Sequence, residues 1–151
     1  MNRRFMIGSL GLTTLFGAAR SALAQHEHHS PSSAAGAASP RPSNYAALMA
    51  ATADCVAKGQ TCLSHCIQLL SAGDKSVGKC AKTVGQLLPL CSALQALASQ
   101  DSPHTRALAK VALEACNECA EACKQHVEHH AECKACYDSC LECIEQCKAI
   151  A

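Results

Sequence analysis

The sequence of 151 residues has no tryptophan, and it contains only two tyrosines and two phenylalanines. An ordinary apolar core of this size would use more aromatic side chains, since these bury the largest areas. An excess of one charge is also missing, because 13 Lys and Arg residues stand against 12 Asp and Glu residues. A nearly neutral chain with so few aromatics and no basic stripe gives nucleic-acid binding little support.

A long hydrophobic run is absent as well. The apolar stretch from Phe5 to Ala19 is too short for a comfortable transmembrane helix. It follows the pair Arg3–Arg4 and precedes Ala22–Ala24, which reads as an A-x-A cleavage site. We therefore predict a signal peptide over residues 1–24, of the twin-arginine type rather than the general secretory type. The mature protein is then exported from the cytoplasm, to the periplasm, with no stable membrane insertion.

The rest of the chain divides into a linker and a helical domain. Residues 25–42 are rich in Ser, Ala, Pro and His and have no apolar period, which predicts a disordered linker. Over residues 43–151, inward positions recur in alternating steps of three and four, the seam pattern of packed helices. Four such segments joined by short connections predict an all-α, antiparallel, up-down-up-down four-helix bundle.

Local signals suggest where the helices begin and end. Ser43 is a suitable cap for the first helix, and Gly73 is a suitable stop. The second helix is expected to begin near Asp74, and the third at 101–103, with its proline in the first turn. Neither Gly nor Pro marks the end of the third helix. The alternation of three- and four-residue steps between inward positions, however, is broken near residue 130. We therefore place the last turn at 129–132.

What the sequence has in excess is cysteine, and all of it lies on the inward stripes of the helices. The thirteen positions are Cys55, Cys62, Cys66, Cys80, Cys91, Cys116, Cys119, Cys123, Cys133, Cys136, Cys140, Cys143 and Cys147. Cysteine often serves as a small hydrophobe at one or two positions. At thirteen positions this explanation fails, since Leu or Val would supply more apolar volume without the risk of oxidation.

Three other uses of these cysteines compete. Disulfide stapling of a structural helical protein stays open, although the count is odd and neighbours on one helix face point the same way. Zinc binding stays open because Cys116-x-x-Cys119 and Cys133-x-x-Cys136 resemble a zinc-ribbon count, but in helical sequence rather than on tight turns. Iron–sulfur binding is a further alternative, although no ferredoxin-type run of cysteines is present.

Cu(I) fits the pattern best, because soft thiolates favour it. Cysteines three or four residues apart lie within about 5–6 Å on one helix face, a span that a linearly coordinated ion bridges. A buried row of bare thiolates is costly, whereas one Cu(I) per thiolate leaves a neutral assembly. If each sulfur bridges two ions, the load is on the order of ten to thirteen ions.

Helix rise arranges the cysteines in layers. The predicted layers are Cys66, Cys80 and Cys136; then Cys62, Cys123 and Cys140; then Cys119 and Cys143; and finally Cys55, Cys91, Cys116 and Cys147. Beyond the last layer, an apolar plug closes one end, and its members are Tyr45, Leu48, Leu94 and Leu108. The opposite end gathers His65, His126 and His130. We predict that His65 and His130 bind copper at this mouth, because imidazole is a workable copper ligand.

The cysteine spacings closely resemble those of the exported four-helix-bundle copper storage proteins. The resemblance covers residues 43–151 and rests on Cys62-x3-Cys66, on Cys116-x2-Cys119-x3-Cys123, and on the run from Cys133 to Cys147. It implies Cu(I) held inside a preformed bundle, a homotetramer, copper buffering, and supply of copper to copper enzymes. His65 matches a histidine near the open end in that family. The only methionine after the predicted signal is Met49, at the closed end, so a methionine-lined mouth is in doubt.

Catalysis has little support in the sequence. Every candidate metal ligand belongs to the thiol-rich stripes, and no nucleophile–base pair stands out. No catalytic residue is therefore predicted.

Overall fold

The computed structural model describes residues 43–151. The predicted signal peptide and linker lie outside the described residues, and both stay predictions. Within the described residues there are four helices and no strand. The helices are α1 (Ala46–Ser71), α2 (Gly78–Ser99), α3 (Thr105–Lys124) and α4 (Ala131–Ile150). The prediction of an all-α, four-helix fold is confirmed.

Each helix packs against two others. Helix α1 contacts α2 and α4, and α3 contacts the same two helices. Sequence neighbours are therefore also neighbours in space, as the short connections require in an up-down-up-down bundle. None of the four described helices is long and apolar enough to cross a membrane.

The first helix ends as predicted but begins differently. Gly73 adopts a φ of 95° just after α1, a conformation that glycine reaches at little cost. The N-cap residue of α1 is Tyr45 rather than Ser43, and the Tyr45 side chain makes no capping hydrogen bond. Instead, Ser43 Oγ accepts a hydrogen bond from the Tyr45 N–H at 3.1 Å and donates to the Ala98 carbonyl at 3.4 Å. Ser43 thus ties the start of the domain to the end of α2.

The next two helices also begin later than predicted. Asp74 lies in a turn before α2, where its carboxylate accepts hydrogen bonds from the backbone N–H and the hydroxyl of Ser76. Helix α2 itself starts at Gly78. In the same way, the Ser102 hydroxyl accepts a bond from the His104 N–H, and α3 starts at Thr105. Short polar side chains here build turns rather than helix caps.

The third helix ends earlier than predicted. Helix α3 stops at Lys124, and residues 125–130 form the connection to α4. The predicted turn at 129–132 is therefore placed about four residues too late. Backbone bonds from the N–H groups of His129 and His130 to the His126 carbonyl hold the connection together without glycine. This shift changes the register of α4, as the thiol positions show below.

Candidate metal centre

All thirteen cysteines point into the bundle. Each has 0% of its surface exposed, and each is a free thiol. The helical stripe explains this placement, since steps of three and four residues keep one face turned toward the bundle axis. No other residue type supplies so many buried side chains in the described bundle, so sulfur lines much of its interior.

The thiols form four groups in which every sulfur lies within 4.8 Å of the others. From the histidine end inward, the groups are Cys62, Cys66, Cys80 and Cys133; Cys62, Cys123 and Cys136; Cys119, Cys136 and Cys140; and Cys55, Cys91, Cys116 and Cys143. Cys62 and Cys136 each belong to two groups. The groups are therefore linked through shared sulfurs along much of the column.

The register of α4 differs from the predicted layers. Cys133 reaches the outermost group, where Cys136 was expected, and Cys143 reaches the innermost group in place of Cys147. Every α4 thiol is thus one step further inward than predicted. Because α3 ends early, the longer connection lets α4 slide by about 5 Å, the rise of three to four helical residues. The predicted layers for the thiols of α1, α2 and α3 agree with these groups, except that Cys62 also joins the outermost group. Cys119 meets Cys136 and Cys140 rather than Cys143 because of the shift of α4.

The spacing of the sulfurs suits bridging metal ions. Metal–thiolate bonds of about 2.3 Å separate two sulfurs by about 4.0 Å at a trigonal ion and by about 4.6 Å at a linear one. Neighbouring Sγ atoms from different helices are 3.6 Å apart for Cys62 and Cys80, and 3.9 Å apart for Cys119 and Cys136. The shortest separation is 3.2 Å, between Cys80 and Cys123. Ions therefore fit between these thiols with small movements of the side chains.

The thiols of the column differ in pKa. Burial raises the pKa of the Cys66 thiol to about 11, and repulsion from Cys80 adds to the effect. The pKa of Cys55 is lowered, because the thiols of Cys116 and then Cys140 donate hydrogen bonds to its thiolate. The pKa of Cys116 is raised, chiefly by its hydrogen bonds to Cys143 and then Cys55, because a thiolate that has already formed makes ionisation of the next thiol less favourable. A cation that replaces the thiol protons relieves this repulsion.

The histidine end forms as predicted from His65 and His130. Their ring nitrogens, Nε2 of His65 and Nδ1 of His130, lie 3.0 Å apart. The ring of His126 is further away, with its centroid 6.1 Å from that of His130. A third group at this end was missed in the sequence: a Glu132 carboxylate oxygen lies 3.7 Å from Nε2 of His65. Glu132 looked like an ordinary surface charge, and only the packing of α4 against α1 brings it to the histidine.

The opposite end is closed by hydrocarbon. Leu48 and Leu94 are buried, and Tyr45 and Leu108 are partly buried against the core, as the predicted plug requires. Cys147 lies at this end but belongs to none of the four thiol groups. The column therefore has one apolar end and one polar end.

A family model matches this arrangement. The model of the copper storage proteins matches residues 41–151, which include the whole described bundle. The chain belongs to the copper storage protein family. Comparison with curated proteins gives no match.

Solved structures of copper storage proteins share the fold. The bundle is similar to the Cu(I)-bound copper storage protein BsCsp3, with a TM-score of 0.61 and 24% sequence identity. The match covers 70% of this chain and 95% of that one. It is equally similar to apo copper storage protein 3 from Bacillus subtilis, with the same score and identity and 96% of that chain covered. At this level of identity the likeness supports the four-helix fold.

Proposed function

We propose that this protein stores Cu(I) as a chain of thiolate-bridged ions inside its bundle. The observation that carries the proposal is a set of thirteen free, fully buried cysteines, of which twelve lie in four groups. Three of these groups are joined by shared sulfurs. Shared sulfurs suit an ion that accepts two or three soft ligands and lets each ligand bridge. Membership of the copper storage protein family supports the same cargo.

We infer that all thirteen cysteines are ligands, and that His65 and His130 hold Cu(I) as it enters at the polar end. Charge balance supports one ion per thiol. Each bound Cu(I) replaces one thiol proton, so the filled column is neutral and the desolvation cost of bare thiolates is avoided. We expect on the order of ten to thirteen ions in each chain.

Zinc would use the same thiols differently. A structural zinc ion takes four ligands, commonly all for itself. Thirteen thiols then supply about three separate sites, and the sharing of Cys62 and Cys136 between groups works against separate sites. A zinc load of about three ions, without a larger copper load, would replace storage with a structural metal role.

An anaerobic titration tests the proposal. Reduced protein is titrated with Cu(I) in the presence of a chromophoric Cu(I) chelator, and the chelator signal should appear only after about ten to thirteen equivalents. The variant Cys136→Ser should lose about two equivalents because Cys136 belongs to two groups, whereas Cys147→Ser should lose at most about one. Saturation of the wild type at one or two equivalents would contradict storage.

We further propose that the stored copper supplies copper enzymes after export of the protein by the twin-arginine route. The Arg3–Arg4 pair and the segment up to Ala24 support export. This route carries folded proteins, so the thiols can remain reduced until the bundle has closed. Replacing Arg3–Arg4 by a lysine pair should keep the protein in the cytoplasm of an expressing bacterium, as measured by cell fractionation. Unchanged export would instead favour the general secretory route.

A homotetramer is proposed as well. Four large apolar side chains remain substantially exposed on the described bundle, namely Ile67, Leu70, Val111 and Leu141. Apolar surface of this kind is often covered by other subunits. Light scattering coupled to gel filtration should give four times the mass of the mature chain. A monomer mass at micromolar concentration would contradict the assembly.

A further inference from the structure

We propose a further activity: the thiols of Cys80 and Cys123 reduce Cu²⁺ to Cu(I) and become a disulfide that joins α2 to α3. The inference rests on the proposed function for the fate of the product, since neighbouring thiols then hold the Cu(I) that forms. Storage alone needs copper that arrives already reduced. A reducing pair lets the protein take up the oxidised ion as well, although it removes two ligands.

These two thiols are closer together than any other hydrogen-bonded thiols of the described bundle. The Sγ atoms of Cys80 and Cys123 are 3.2 Å apart. The next distance is 3.6 Å, between Cys62 and Cys80, and the other thiol contacts measure 3.8 to 4.0 Å. A disulfide bond measures about 2.05 Å, so each sulfur of the closest pair moves by roughly 0.6 Å. Since Cys80 can form only one such bond, the two shortest contacts yield one disulfide.

The backbone at both positions can adjust to the bond. Cys80 lies in the first turn of α2, which begins at Gly78, and Cys123 lies in the last turn of α3, which ends at Lys124. Helix ends fray and change conformation more readily than helix centres. The bond therefore forms without disturbing the middle of either helix, and it fixes α2 and α3 together at the polar end.

The pair also lies where copper enters in the proposed function. Cys80 belongs to the outermost thiol group, at the histidine end, and Cys123 belongs to the next group inward. Cu²⁺ that enters from this end therefore meets the pair before the deeper thiols. The sulfur of Cys62 is 3.6 Å from that of Cys80 and 3.8 Å from that of Cys133, so thiols beside the pair can bind the product. Because Cu(I) prefers soft thiolates, the ion stays close to the place where it forms.

The reaction consumes two copper ions for each disulfide. The two S–H bonds break, one Sγ–Sγ bond forms, and the two protons pass to solvent. The two electrons released reduce two Cu²⁺ ions to Cu(I), so Cu²⁺ is the oxidant and no other reactant is needed. The disulfide uses two of the thirteen thiols and leaves eleven for Cu(I). The capacity for Cu(I) should therefore fall by about two ions once the pair is oxidised.

Anaerobic addition of Cu²⁺ to the reduced, metal-free protein tests the activity. With about two equivalents of Cu²⁺, its electron paramagnetic resonance signal should disappear as Cu(I) forms. Free thiols, counted in denaturant with a strong Cu(I) chelator present, should fall by about two per chain. Samples quenched with acid, alkylated and digested should then show the disulfide between Cys80 and Cys123 by mass spectrometry.

Two variants separate the pair from thiols in general. Cys123→Ser leaves Cys80 only the longer contact with Cys62, and it should slow the loss of the Cu²⁺ signal at least tenfold. Thr83→Ser is the matched control one turn along α2. The Thr83 hydroxyl donates to the carbonyls of Lys79 and Cys80, and serine keeps that hydroxyl, so the rate should stay within about twofold of the wild type. The disulfide found in the wild type decides the case even where Cys123→Ser does not fold.

The outcomes distinguish this inference from storage. A persistent Cu²⁺ signal with all thirteen thiols free would overturn the inference, and so would disulfides spread over many pairs with no excess of Cys80–Cys123. In either case a full load in the Cu(I) titration leaves storage standing. A Cys80–Cys123 disulfide that forms while the Cu(I) product passes to a weak chelator would support the reduction and contradict storage.

Discussion

Two sides of the bundle differ sharply at the middle of the column. On the α1–α2 side, an apolar wall formed by Gly59, Val84, Leu87 and Leu88 interrupts the thiols. On the α3–α4 side, a thiol wall formed by Cys116, Cys119, Cys140 and Cys143 continues past the same level. Eight of the thirteen cysteines belong to α3 and α4. Hydrocarbon on the α1–α2 side stabilises the metal-free fold, whereas the α3–α4 side supplies most of the thiol ligands.

The small size of cysteine explains why both walls are needed. A thiol side chain buries less apolar area than leucine, so a core of sulfur alone contributes little to stability before metal binds. Val84 and Leu87 are fully buried and fill the space that the absent thiols leave in α2. We therefore expect the bundle to be folded without copper, and expect the two walls to respond differently to mutation.

The largest expected effect comes from shortening the apolar wall. Leu87→Ala should destabilise the metal-free protein by about 3 kcal/mol, because it leaves a cavity in a fully buried position. The matched change on the other side, Cys119→Ala, removes one sulfur and should cost about 1 kcal/mol. Urea unfolding followed by circular dichroism measures both under anaerobic conditions. Copper titration should show the opposite order, with capacity lost in Cys119→Ala and retained in Leu87→Ala. Equal losses of stability in the two variants would contradict the assignment of fold stability to the apolar wall.

The second prediction concerns the pH dependence of stability. The thiols ionise with rising pH, whereas the hydrocarbon side chains of the apolar wall do not. The pKa of Cys66 rises from 9.0 to about 11 in the folded protein. The folded state therefore holds this proton more tightly than the unfolded chain does, and its contribution is present in full below pH 9. Ionisation of Cys66 should then contribute a loss of about 2 kcal/mol to the stability of the metal-free protein between pH 9 and 11.

Denaturant unfolding at several pH values, with reductant present, measures this loss. Cys66→Ser should show a smaller loss over the same range, because the substituted hydroxyl does not titrate there. Copper-loaded protein should show less pH dependence as well, since its thiol protons have been replaced. A Cys66→Ser variant that loses as much stability as the wild type over this range would contradict the shift.

A third effect concerns the path that copper follows past the apolar wall. At this level Cys119 and Cys140 belong to the group that precedes the inner group containing Cys55, and these two groups share no sulfur. In the double variant Cys119→Ser/Cys140→Ser, the inner group should fill at least tenfold more slowly, which corresponds to about 1.4 kcal/mol in the barrier. Stopped-flow loading from a Cu(I) chelator complex should resolve this phase. Unchanged kinetics would indicate a second route, through the plug.

The smallest effect is expected at the closest approach within the apolar wall. A Cβ atom at Gly59 would lie 2.9 Å from Cδ2 of Leu88, which is the end of a flexible, partly buried side chain. Alanine favours the helix by about 1 kcal/mol, and moving Leu88 costs a similar amount. Gly59→Ala should therefore change the stability by less than about 0.5 kcal/mol. A loss of several kcal/mol would show that the wall is rigid.

The sequence by itself determined the four helices, the inward direction of all thirteen thiols and the histidines at one end. These follow from local rules, because steps of three and four residues keep a side chain on one helix face. The plug around Leu48 and the stop at Gly73 are of the same kind. The starts of α2 and α3 were misplaced, because a short polar side chain such as Asp74 or Ser102 serves a turn as well as a helix cap.

Only the tertiary structure decided how the helices align with one another. The connection after Lys124 contains neither glycine nor proline, so the early end of α3 could not be predicted from the composition. As a result, every α4 thiol was predicted one layer too close to the histidine end. The pairing of Glu132 with His65 has the same origin, since a surface carboxylate meets a particular imidazole only when two helices pack in one register. Periodicity fixes the direction of a side chain around its helix, while packing and connection length fix its height along the bundle.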